Sequence, residues 1–413
     1  KNETRPQVLS RGGSVRGRQR IPGILWIIGQ YEGYNFTLIS ALLLTAKPSL
    51  SERRTILAEE PREVYSGPDF SWASLRSLSK KGFLVGYLSY DLAEDMLGLA
   101  RGRGPLPPFW FGLYESLALR DEMTGRWFTW RSDGTKEAFP GPELPSGGDF
   151  ALSFVGFDQT EAQYMKTIER IKEEIAEGHY YQVNYTLRAR FGFRGDPSGL
   201  FRALLRKQPV PYGAFIDTGG GLVISGSPEL FLRVREGLAT TKPMKGTAPF
   251  GPGTRQRLFR SEKDRAENLM IADMARHELG RVSGDVRVRR LFRVERYATV
   301  YQMVSVITAR LLPDNDIWSA VESSFPPPSV TGAPKSSATE AIARHEASPR
   351  GVYTGIIGYT TPWGDGCFSV AIRTCELVGR DLFYGTGGGI TFASDPRKEW
   401  EECMAKMAAL EGL

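Results

Sequence analysis

Histidine and cysteine are both scarce in this 413-residue sequence, which has three of each. They are His179, His277, His345, Cys367, Cys375 and Cys403. With so few histidines, a three-histidine zinc site or a histidine-based catalytic triad would require improbable convergence. No two cysteines are spaced as CxxC, and all three fall in segments that read as strand or helix. We therefore predict no disulfide framework and a reducing, cytoplasmic location. Any metal site must be built from carboxylates.

Long apolar runs are also missing. No stretch approaches the ~18 uninterrupted apolar residues that a membrane-spanning helix needs, and the N-terminus lacks the apolar core of a signal peptide. Hydrophobic residues make up 41% and charged residues 24% of the chain, as in ordinary globular proteins. At this length we expect two domains or one large composite fold, with no membrane association.

The formal net charge of +6 comes mostly from the first twenty residues. That segment has six basic residues against the single acid Glu3, with several glycines and serines and little that is apolar. Such a composition cannot build a packed core, so we predict that residues 1–20 are a disordered basic tail. The remainder is close to neutral, which argues against a nucleic-acid partner.

A segment rich in Gly, Pro and charge divides the rest of the chain. Residues 21–150 mix short apolar runs with Gly, Pro and Ser breaks and form a strand-like N-terminal portion. This portion ends at about 131–149, RSDGTKEAFPGPELPSGGD, which we predict to be a linker or long exposed loop. Residues 151–413 form the second and larger portion.

The second portion opens with an amphipathic pattern. Tyr164, Ile168 and Ile171 recur at helical spacing within 160–177, which predicts a helix with one face inward. Further helices are predicted at 262–283, 334–345 and 396–410, and strands at 180–193, 213–216, 222–224, 230–234, 300–308, 353–359, 368–375 and 381–384. Many strands with few intervening helices indicate an α+β fold rather than a regular βαβ series.

Lys245 is the first residue that suggests a chemical role. It stands in the segment KPMKGT directly before Gly246, where a ligand can approach the backbone closely. A lysine acts as a nucleophile only after it loses its proton, and complete burial lowers a lysine pKa by up to ~3–5 units. From these residues alone, a solvated loop lysine is the competing interpretation.

Two pairs of carboxylates at i, i+3 spacing form a second candidate site. Asp264 with Glu267, and Glu399 with Glu402, each share one face of a predicted helix. Glu267 also lies on the apolar stripe of its helix, so its charge should point inward, where a cation such as Mg²⁺ would offset it. There are competing interpretations for both pairs. Helix capping would explain Asp264, and a solvent-exposed helix face would explain Glu399 and Glu402.

Two glycine-rich segments and one arginine suggest contacts with an anion. TGAPK at 331–335 and GTGGGIT at 385–391 each offer backbone N–H groups, although neither has the spacing of a P-loop or a dinucleotide fingerprint. Arg373 alternates with apolar neighbours, which places its guanidinium on one face of the predicted strand, suited to a bidentate carboxylate contact. Tight turns and a structural salt bridge are the respective alternatives.

Taken in order, these segments resemble the chorismate-utilising enzymes. The match runs from about Phe154 to Leu413, and GFLVGYLSYDLAE resembles the N-terminal portion of that family. The resemblance implies a large antiparallel β-sandwich wrapped by helices, to which both portions contribute. The matching motifs are YYQVNYT, GSPELFL, TKPMKGT, EKDRAENLMIAD, SVTGAPK, RGVYTGIIGY, FSVAIRT, YGTGGGI and EWEEC.

The resemblance also implies a role for each candidate residue. Glu267 and Glu402 match Mg²⁺ ligands, and Asp264 and Glu399 match residues that hold metal-bound water. Glu229 matches a general acid for the departing 4-hydroxyl of chorismate. The positions that match contacts to chorismate are Gln182, Gly246, Thr247, Tyr353, Arg373, Gly387 and Gly388.

Two positions separate the activities within the family. Members that use water, and make isochorismate or salicylate, have a lysine base at the place of Gln182, which cannot take up a proton. Anthranilate synthases typically have alanine at the place of Lys245, whereas members that make aminodeoxychorismate have lysine. Gln302 in place of a histidine, and 326–329 (PPPS) in place of a glycine-containing turn, depart from the family pattern without removing a proposed catalytic group.

The activity that the resemblance implies is Mg²⁺-dependent conversion of chorismate and ammonia to 4-amino-4-deoxychorismate, toward para-aminobenzoate and folate, with Lys245 as the nucleophile at C2. Because the sequence has no glutamine amidotransferase motif, we expect ammonia to come from a separate glutamine amidotransferase subunit. Two alternatives stay open: anthranilate synthase component I, and a chorismate-binding regulatory subunit without activity.

Overall fold

The computed structural model describes residues 27–31, 34–38, 41–45, 54–99, 102–122, 124–142, 147–297, 299–410 and 412–413. The predicted basic tail, residues 1–20, lies outside them. The helices are α1 (Trp72–Ser79), α2 (Asp91–Met96), α3 (Glu161–Ala176), α4 (Pro197–Lys207), α5 (Thr254–Arg260), α6 (Glu262–Gly280), α7 (Ile317–Ser324), α8 (Lys335–His345) and α9 (Pro396–Met407). None of these helices combines the length and the apolar character that crossing a membrane requires.

Strands dominate the described part of the chain. They are β1 (Ile27–Tyr31), β2 (Tyr34–Leu38), β3 (Ala41–Thr45), β4 (Arg54–Ala58), β5 (Glu63–Ser66), β6 (Phe83–Leu88), β7 (Phe109–Tyr114), β8 (Ser116–Asp121), β9 (Trp127–Arg131), β10 (Lys136–Phe139), β11 (Phe150–Phe157), β12 (Gln182–Gly195), β13 (Tyr212–Asp217), β14 (Leu222–Ser227), β15 (Leu230–Arg235), β16 (Leu238–Lys242), β17 (Met244–Pro249), β18 (Ser283–Arg296), β19 (Val300–Leu311), β20 (Gly332–Ala333), β21 (Ile356–Thr360), β22 (Gly366–Val370), β23 (Thr374–Val378) and β24 (Asp381–Ile390).

These strands form two large antiparallel sheets and a separate β1–β2 pair. The twelve-stranded sheet has the order β10-β9-β8-β4-β3-β13-β14-β23-β24-β12-β11, with β20 on β12. The ten-stranded sheet has the order β17-β19-β16-β15-β22-β21-β6-β7-β5, with β18 on β19. Since β3 pairs with β13 and β6 with β21, the N-terminal and C-terminal portions share both sheets. The predicted composite α+β fold is confirmed.

The two sheets pack face to face, and strand β6 shows how. Phe83, Val85 and Tyr87 point toward the twelve-stranded sheet and join a core with Ile56 and Ile216. The intervening residues of β6 point to the other face, where α1, α6 and α7 cover the ten-stranded sheet. Side chains alternate across a strand, so a strand buried on both faces is apolar throughout. The result is the predicted sandwich wrapped by helices.

Helices α3, α8 and α9 cover β12 and β24 on the outside of the twelve-stranded sheet. The predicted helix 160–177 is confirmed as α3: Thr160 and Gln163 form a capping box at its start, and Tyr164, Ile168 and Ile171 are buried. The predicted helices at 262–283, 334–345 and 396–410 correspond to α6, α8 and α9 with ends shifted by a few residues.

Two local predictions are wrong. The segment 131–149 is not simply a linker, because it contains β10, whose Glu137 pairs with Thr129 of β9. The run 368–375 is not one strand: β22 in the ten-stranded sheet ends at Val370, and β23 in the twelve-stranded sheet begins at Thr374. Arg373 lies in the corner between them with a φ of 52°, so it is not on a strand face.

Candidate active site

Lys245 reaches from β17 in one sheet to β24 in the other. A Cβ atom added to Gly389 would lie 3.2 Å from Lys245 Nζ and 2.1 Å from Gln182 Nε2. Both side chains therefore fill the space that Gly389 leaves open, and the Oε1 atom of buried Gln182 has no hydrogen-bond partner among the described residues. The segment 385–390 belongs to strand β24, with Gly388 opposite Tyr185, so the tight-turn interpretation of this segment is wrong.

The surroundings of Lys245 favour its neutral amine. Burial lowers the pKa of Lys245 below the ordinary lysine value, while the nearby carboxylates of Glu267 and Glu229 act in the opposite direction. Lys245 lies in strand β17 and is partly buried, so the solvated-loop interpretation is wrong. An amine held between two carboxyl groups can hand a proton to either of them, which is what a lysine nucleophile requires.

Glu229 is a buried acid directly before β15. Its residue is 4% exposed, its N–H donates to Ser227 Oγ at 3.2 Å, and its carbonyl accepts from Val370 N–H at 3.1 Å. Burial raises the pKa of Glu229 to about 7, against a hydrogen bond from Ser329 and the charge of Lys245. Ser329 ends the proline run noted as a departure from the family pattern. A carboxyl group with a pKa in this range can both give and take up a proton near neutral pH.

Helix α6 brings one pair of carboxylates to the site. Ser261 Oγ accepts from the N–H of Asp264 at 3.3 Å, which confirms helix capping at this end. The Asp264 carboxylate lies against Gly246, where an added Cβ would be 2.9 Å from Oδ1; the φ of Gly246, +87°, also favours glycine. The Glu267 side chain is only 14% exposed. Burial raises the pKa of Glu267, and repulsion from Asp264 and Glu402 adds to the effect.

Helix α9 brings the second pair. Glu399 is buried, accepts from Ser394 Oγ at 2.8 Å, and faces Gly388, where an added Cβ would lie 2.8 Å from Oε2. Burial raises the pKa of Glu399. Glu402 is half exposed and pairs with Lys406 at 2.7 Å. Partial burial opposes ionisation of Glu402, but the Lys406 ammonium holds its pKa below the usual value.

The two helices fit a hydrated divalent cation better than a closed metal cage. In the part of the chain that the structure describes, no group of three or more His, Cys, Asp or Glu side chains is placed to hold a metal ion. Glu267 and Glu402 nevertheless come from different helices into one region, since the charge of Glu402 contributes to the raised pKa of Glu267. Mg²⁺ commonly uses one or two carboxylates and takes its other ligands from water and substrate oxygens.

Thr247 and Gln302 connect the lysine strand to its neighbour. The two residues pair across β17 and β19, and Thr247 Oγ1 donates to Gln302 Oε1 at 3.0 Å. Gln302 is buried, whereas Thr247 is exposed to solvent. The glutamine that departs from the family pattern therefore orients the threonine hydroxyl at the rim of the site.

Tyr353 and Arg373 contact β24 near its residues Gly385 and Tyr384. The Tyr353 ring packs on Gly385, where an added Cβ would be 2.1 Å from a ring carbon, and the Arg373 guanidinium lies near Tyr384. Burial lowers the pKa of Arg373, and within the described residues this guanidinium makes no ion pair, so the salt-bridge alternative is wrong there. A half-buried guanidinium without an ion-pair partner among the described residues suits a carboxylate ligand. No described hydrogen bond links either residue to Lys245.

Three residues of the site were not identified from the sequence. Lys406 also donates to the carbonyl of Gly387 at 2.6 Å, Lys263 lies 3.9 Å from Glu267, and Ser394 bonds Glu399. The spacing of each acid and lysine, four residues apart on one helix, was a signal that could have revealed the two lysines. Ser394 had no such signal, because its contact depends on the turn before α9.

Comparisons with known proteins identify the family of this chain. Residues 44–412 match the sequence profile of a family described as chorismate binding enzyme. The chain is 46% identical over 407 residues to aminodeoxychorismate synthase of Streptomyces griseus, covering 92% of this chain and 54% of that protein. It is 32% identical over 363 residues to anthranilate synthase component 1 of Aquifex aeolicus, covering 80% of this chain and 73% of that protein.

The fold also has a counterpart among solved structures. The crystal structure of anthranilate synthase component I from Streptococcus pneumoniae superposes with a TM-score of 0.75 at 23% identity, over 89% of this chain and 94% of that one. At this identity the likeness establishes the fold alone. The present chain spans about half the length of the Streptomyces griseus relative.

Proposed function

This chain belongs to the chorismate binding enzymes, and from that premise we propose that it converts chorismate and ammonia to 4-amino-4-deoxychorismate. One observation carries the proposal: Lys245, with a pKa lowered by burial, lies at the meeting point of Glu229, Glu267 and Gln182. The name of the Streptomyces griseus relative, aminodeoxychorismate synthase, supports the same activity.

In the first step the neutral amine of Lys245 attacks C2 of chorismate. The two ring double bonds shift, and the C4–O bond breaks with its electron pair. Glu229 gives its proton to the departing hydroxyl, which leaves as water, and then takes the proton that the attacking nitrogen releases. A carboxyl group with a pKa of about 7 serves both transfers at neutral pH.

In the second step ammonia attacks C4, the double bonds shift back, and the C2–N bond breaks. Lys245 leaves as a neutral amine after receiving the proton that the new amino group loses. The overall change is chorismate and ammonia to 4-amino-4-deoxychorismate and water. Holding the amine and C2 together supplies proximity, which contributes up to ~7–11 kcal/mol in well-oriented cases.

The remaining residues hold the substrate. Arg373 supplies the unpaired guanidinium for one carboxylate, Tyr353 lines the same side of β24, and backbone at Gly387 and Gly388 leaves room for the ring. Glu267 and Glu402, with Asp264 and Glu399 around them, would hold Mg²⁺, which supplies positive charge to the second carboxylate. Ammonia would come from a glutamine amidotransferase.

The direct test of this function is the product formed with ammonium as the amino donor. The 413-residue chain, given chorismate, Mg²⁺ and an ammonium salt at alkaline pH, is expected to yield 4-amino-4-deoxychorismate by mass spectrometry. Glutamine should not replace ammonium, because no residue of the site resembles a glutaminase nucleophile. Anthranilate as the main product, detected by its fluorescence, would assign the chain to the alternative activity. Glutamine-dependent turnover would contradict the assigned donor.

The carboxylates of α6 provide a test of the metal. Glu267→Gln should lower both Mg²⁺ affinity, measured by titration calorimetry, and amination at least ~10-fold, since loss of a ligand or its orientation has effects of this size. Glu262→Gln, an exposed residue on the first turn of the same helix, is the matched control and should match wild type. Full activity in excess EDTA would rule the metal out.

A further inference from the structure

A cleft outside the candidate active site is lined mainly by arginine. It has a volume of about 410 Å³ and lies where α5 meets β18 and β19. Its lining residues are Arg255, Arg293, Val294, Glu295, Arg296 and Tyr301, which we name the arginine cleft. The volume falls within the ~300–1,000 Å³ typical of small-molecule sites.

The positive charge of the arginine cleft is not balanced internally. Glu295, the one acid in its wall, already pairs with Lys242 and lies 3.2 Å from Arg293. Arg255 and Arg296 are exposed, and in the part of the chain described by the structure neither forms an ion pair. Two free guanidiniums therefore face one open space, and each can bind a carboxylate through two parallel hydrogen bonds.

The Tyr301 ring lines the arginine cleft, and Phe250 supports it from outside the lining. Phe250 packs edge-on against Tyr301, with ring centroids 5.0 Å apart, and the Arg296 guanidinium lies 4.8 Å from the centre of the Phe250 ring. This contact holds Arg296 in place without neutralising it. The cleft thus combines two cationic groups with an apolar wall, which suits a ring that bears carboxylates.

The arginine cleft adjoins the candidate active site. Glu295 of β18 pairs with Gln302 of β19, and Gln302 pairs with Thr247 of β17, two residues from Lys245. Neighbouring strands are about 4.8 Å apart, so the two sites are separated by roughly 10 Å across the sheet. The wall of the cleft therefore begins two strands from the strand that carries Lys245.

We propose that the arginine cleft binds ring compounds carrying two carboxylates and holds such a dianion beside the active site before it reaches Lys245. The binding follows from the cleft alone. Its kinetic consequence, faster capture of substrate, rests on the proposed function, since chorismate is a dianion of this class. Clefts of one charge raise association rates by ~10–10³-fold, and salt weakens the effect.

Binding is tested with benzene-1,3-dicarboxylate as the probe, by titration calorimetry at low salt. The double variant Arg255→Gln/Arg296→Gln should bind the probe at least ~10-fold more weakly than wild type. Arg290→Gln, which removes one positive charge from β18 at an exposed position outside the cleft, should bind as wild type does. Benzoate, with one carboxylate, should bind wild type several-fold more weakly than the probe.

The kinetic arm measures kcat/KM for chorismate against ionic strength. The double variant should show a several-fold lower kcat/KM at low salt and a shallower salt dependence, with the loss in KM rather than in kcat. Equal probe binding by the double variant and wild type, or no probe binding by wild type, would overturn the proposal. If wild type binds the probe but does not aminate chorismate, the proposed function is wrong, whereas dicarboxylate binding by the arginine cleft is confirmed.

Discussion

Lys245→Ala is expected to lower formation of 4-amino-4-deoxychorismate by roughly three orders of magnitude or more, the scale seen when a covalent nucleophile is removed. Without the amine, C2 is no longer attacked by the enzyme, and the C4 hydroxyl has no nucleophile to displace it. Glu229, Arg373 and the carboxylates of α6 and α9 stay in place, so chorismate binding should largely survive. Product analysis by mass spectrometry, with chorismate, Mg²⁺ and ammonium, measures the loss.

Intact-protein mass provides a second measurement of the same prediction. Wild type incubated with chorismate and no ammonium should gain the mass of chorismate less one water, and Lys245→Ala should not. Lys245→Met, which keeps the length of the side chain but lacks the amine, separates loss of the nucleophile from loss of packing and should behave like Lys245→Ala. Near-normal amination at C4 by either variant would refute Lys245 as the nucleophile.

Arg350→Met is expected to have the largest effect on stability. The Arg350 and Glu346 side chains are each 1% exposed and pair at 2.7 Å. Arg350 also donates to the carbonyl of Val330 at 2.8 Å and lies over the Tyr90 ring. Removing one partner of a buried ion pair leaves the other charge uncompensated and costs ~3–5 kcal/mol. Thermal melting should shift downward by roughly 3–6 °C, because the shift per kcal/mol becomes smaller as the chain becomes longer.

Two further variants make the stability prediction specific. Arg397→Met breaks an exposed pair with Glu161, whose side chains are 66% and 41% exposed, and should cost at most ~1 kcal/mol. The double variant Arg350→Met/Glu346→Leu removes both buried charges and should recover part of the lost stability. An Arg350→Met protein that melts as wild type does would show that the buried pair contributes little.

The helices could be predicted from the sequence because their signals are local. The capping box at Thr160, Ser261 before α6, and Asp395 with Pro396 before α9 each specify a helix start within four residues of chain. The same locality placed both carboxylate pairs on helix faces. The inward direction of Glu267 followed from the apolar stripe around it, and its low exposure agrees.

The corner at Arg373 could not be predicted in this way. Val370 and Thr374 are both buried in an apolar run, so the run reads as one strand, although it passes from one sheet to the other. Pairing of β22 with β15 and of β23 with β14 determines the break, and those partners are more than a hundred residues distant. Strand β10 was missed for a different reason: its partner β9 is close in the sequence, but β10 itself is mostly exposed and has a weak apolar pattern.

The approach of the Lys245 and Gln182 side chains to Gly389 also could not be predicted from the sequence. Lys245 and Gln182 belong to different sheets, and only the packing of those sheets places both side chains over one glycine. The resemblance to a family identified the residues, but the lowered pKa of Arg373 and the raised pKa of Glu229 depend on their burial in the folded chain.

Strand β6 has a consequence for how this protein is made. One of the two strands that pair with β6 is β21, in which Ile357 lies opposite Tyr87. At about 5–20 residues per second, a ribosome delivers that partner roughly 15–55 s after β6, because about 270 residues lie between them. All six residues of β6 are buried in the finished protein. During that interval, the nascent chain therefore carries an apolar strand edge that other nascent chains can pair with.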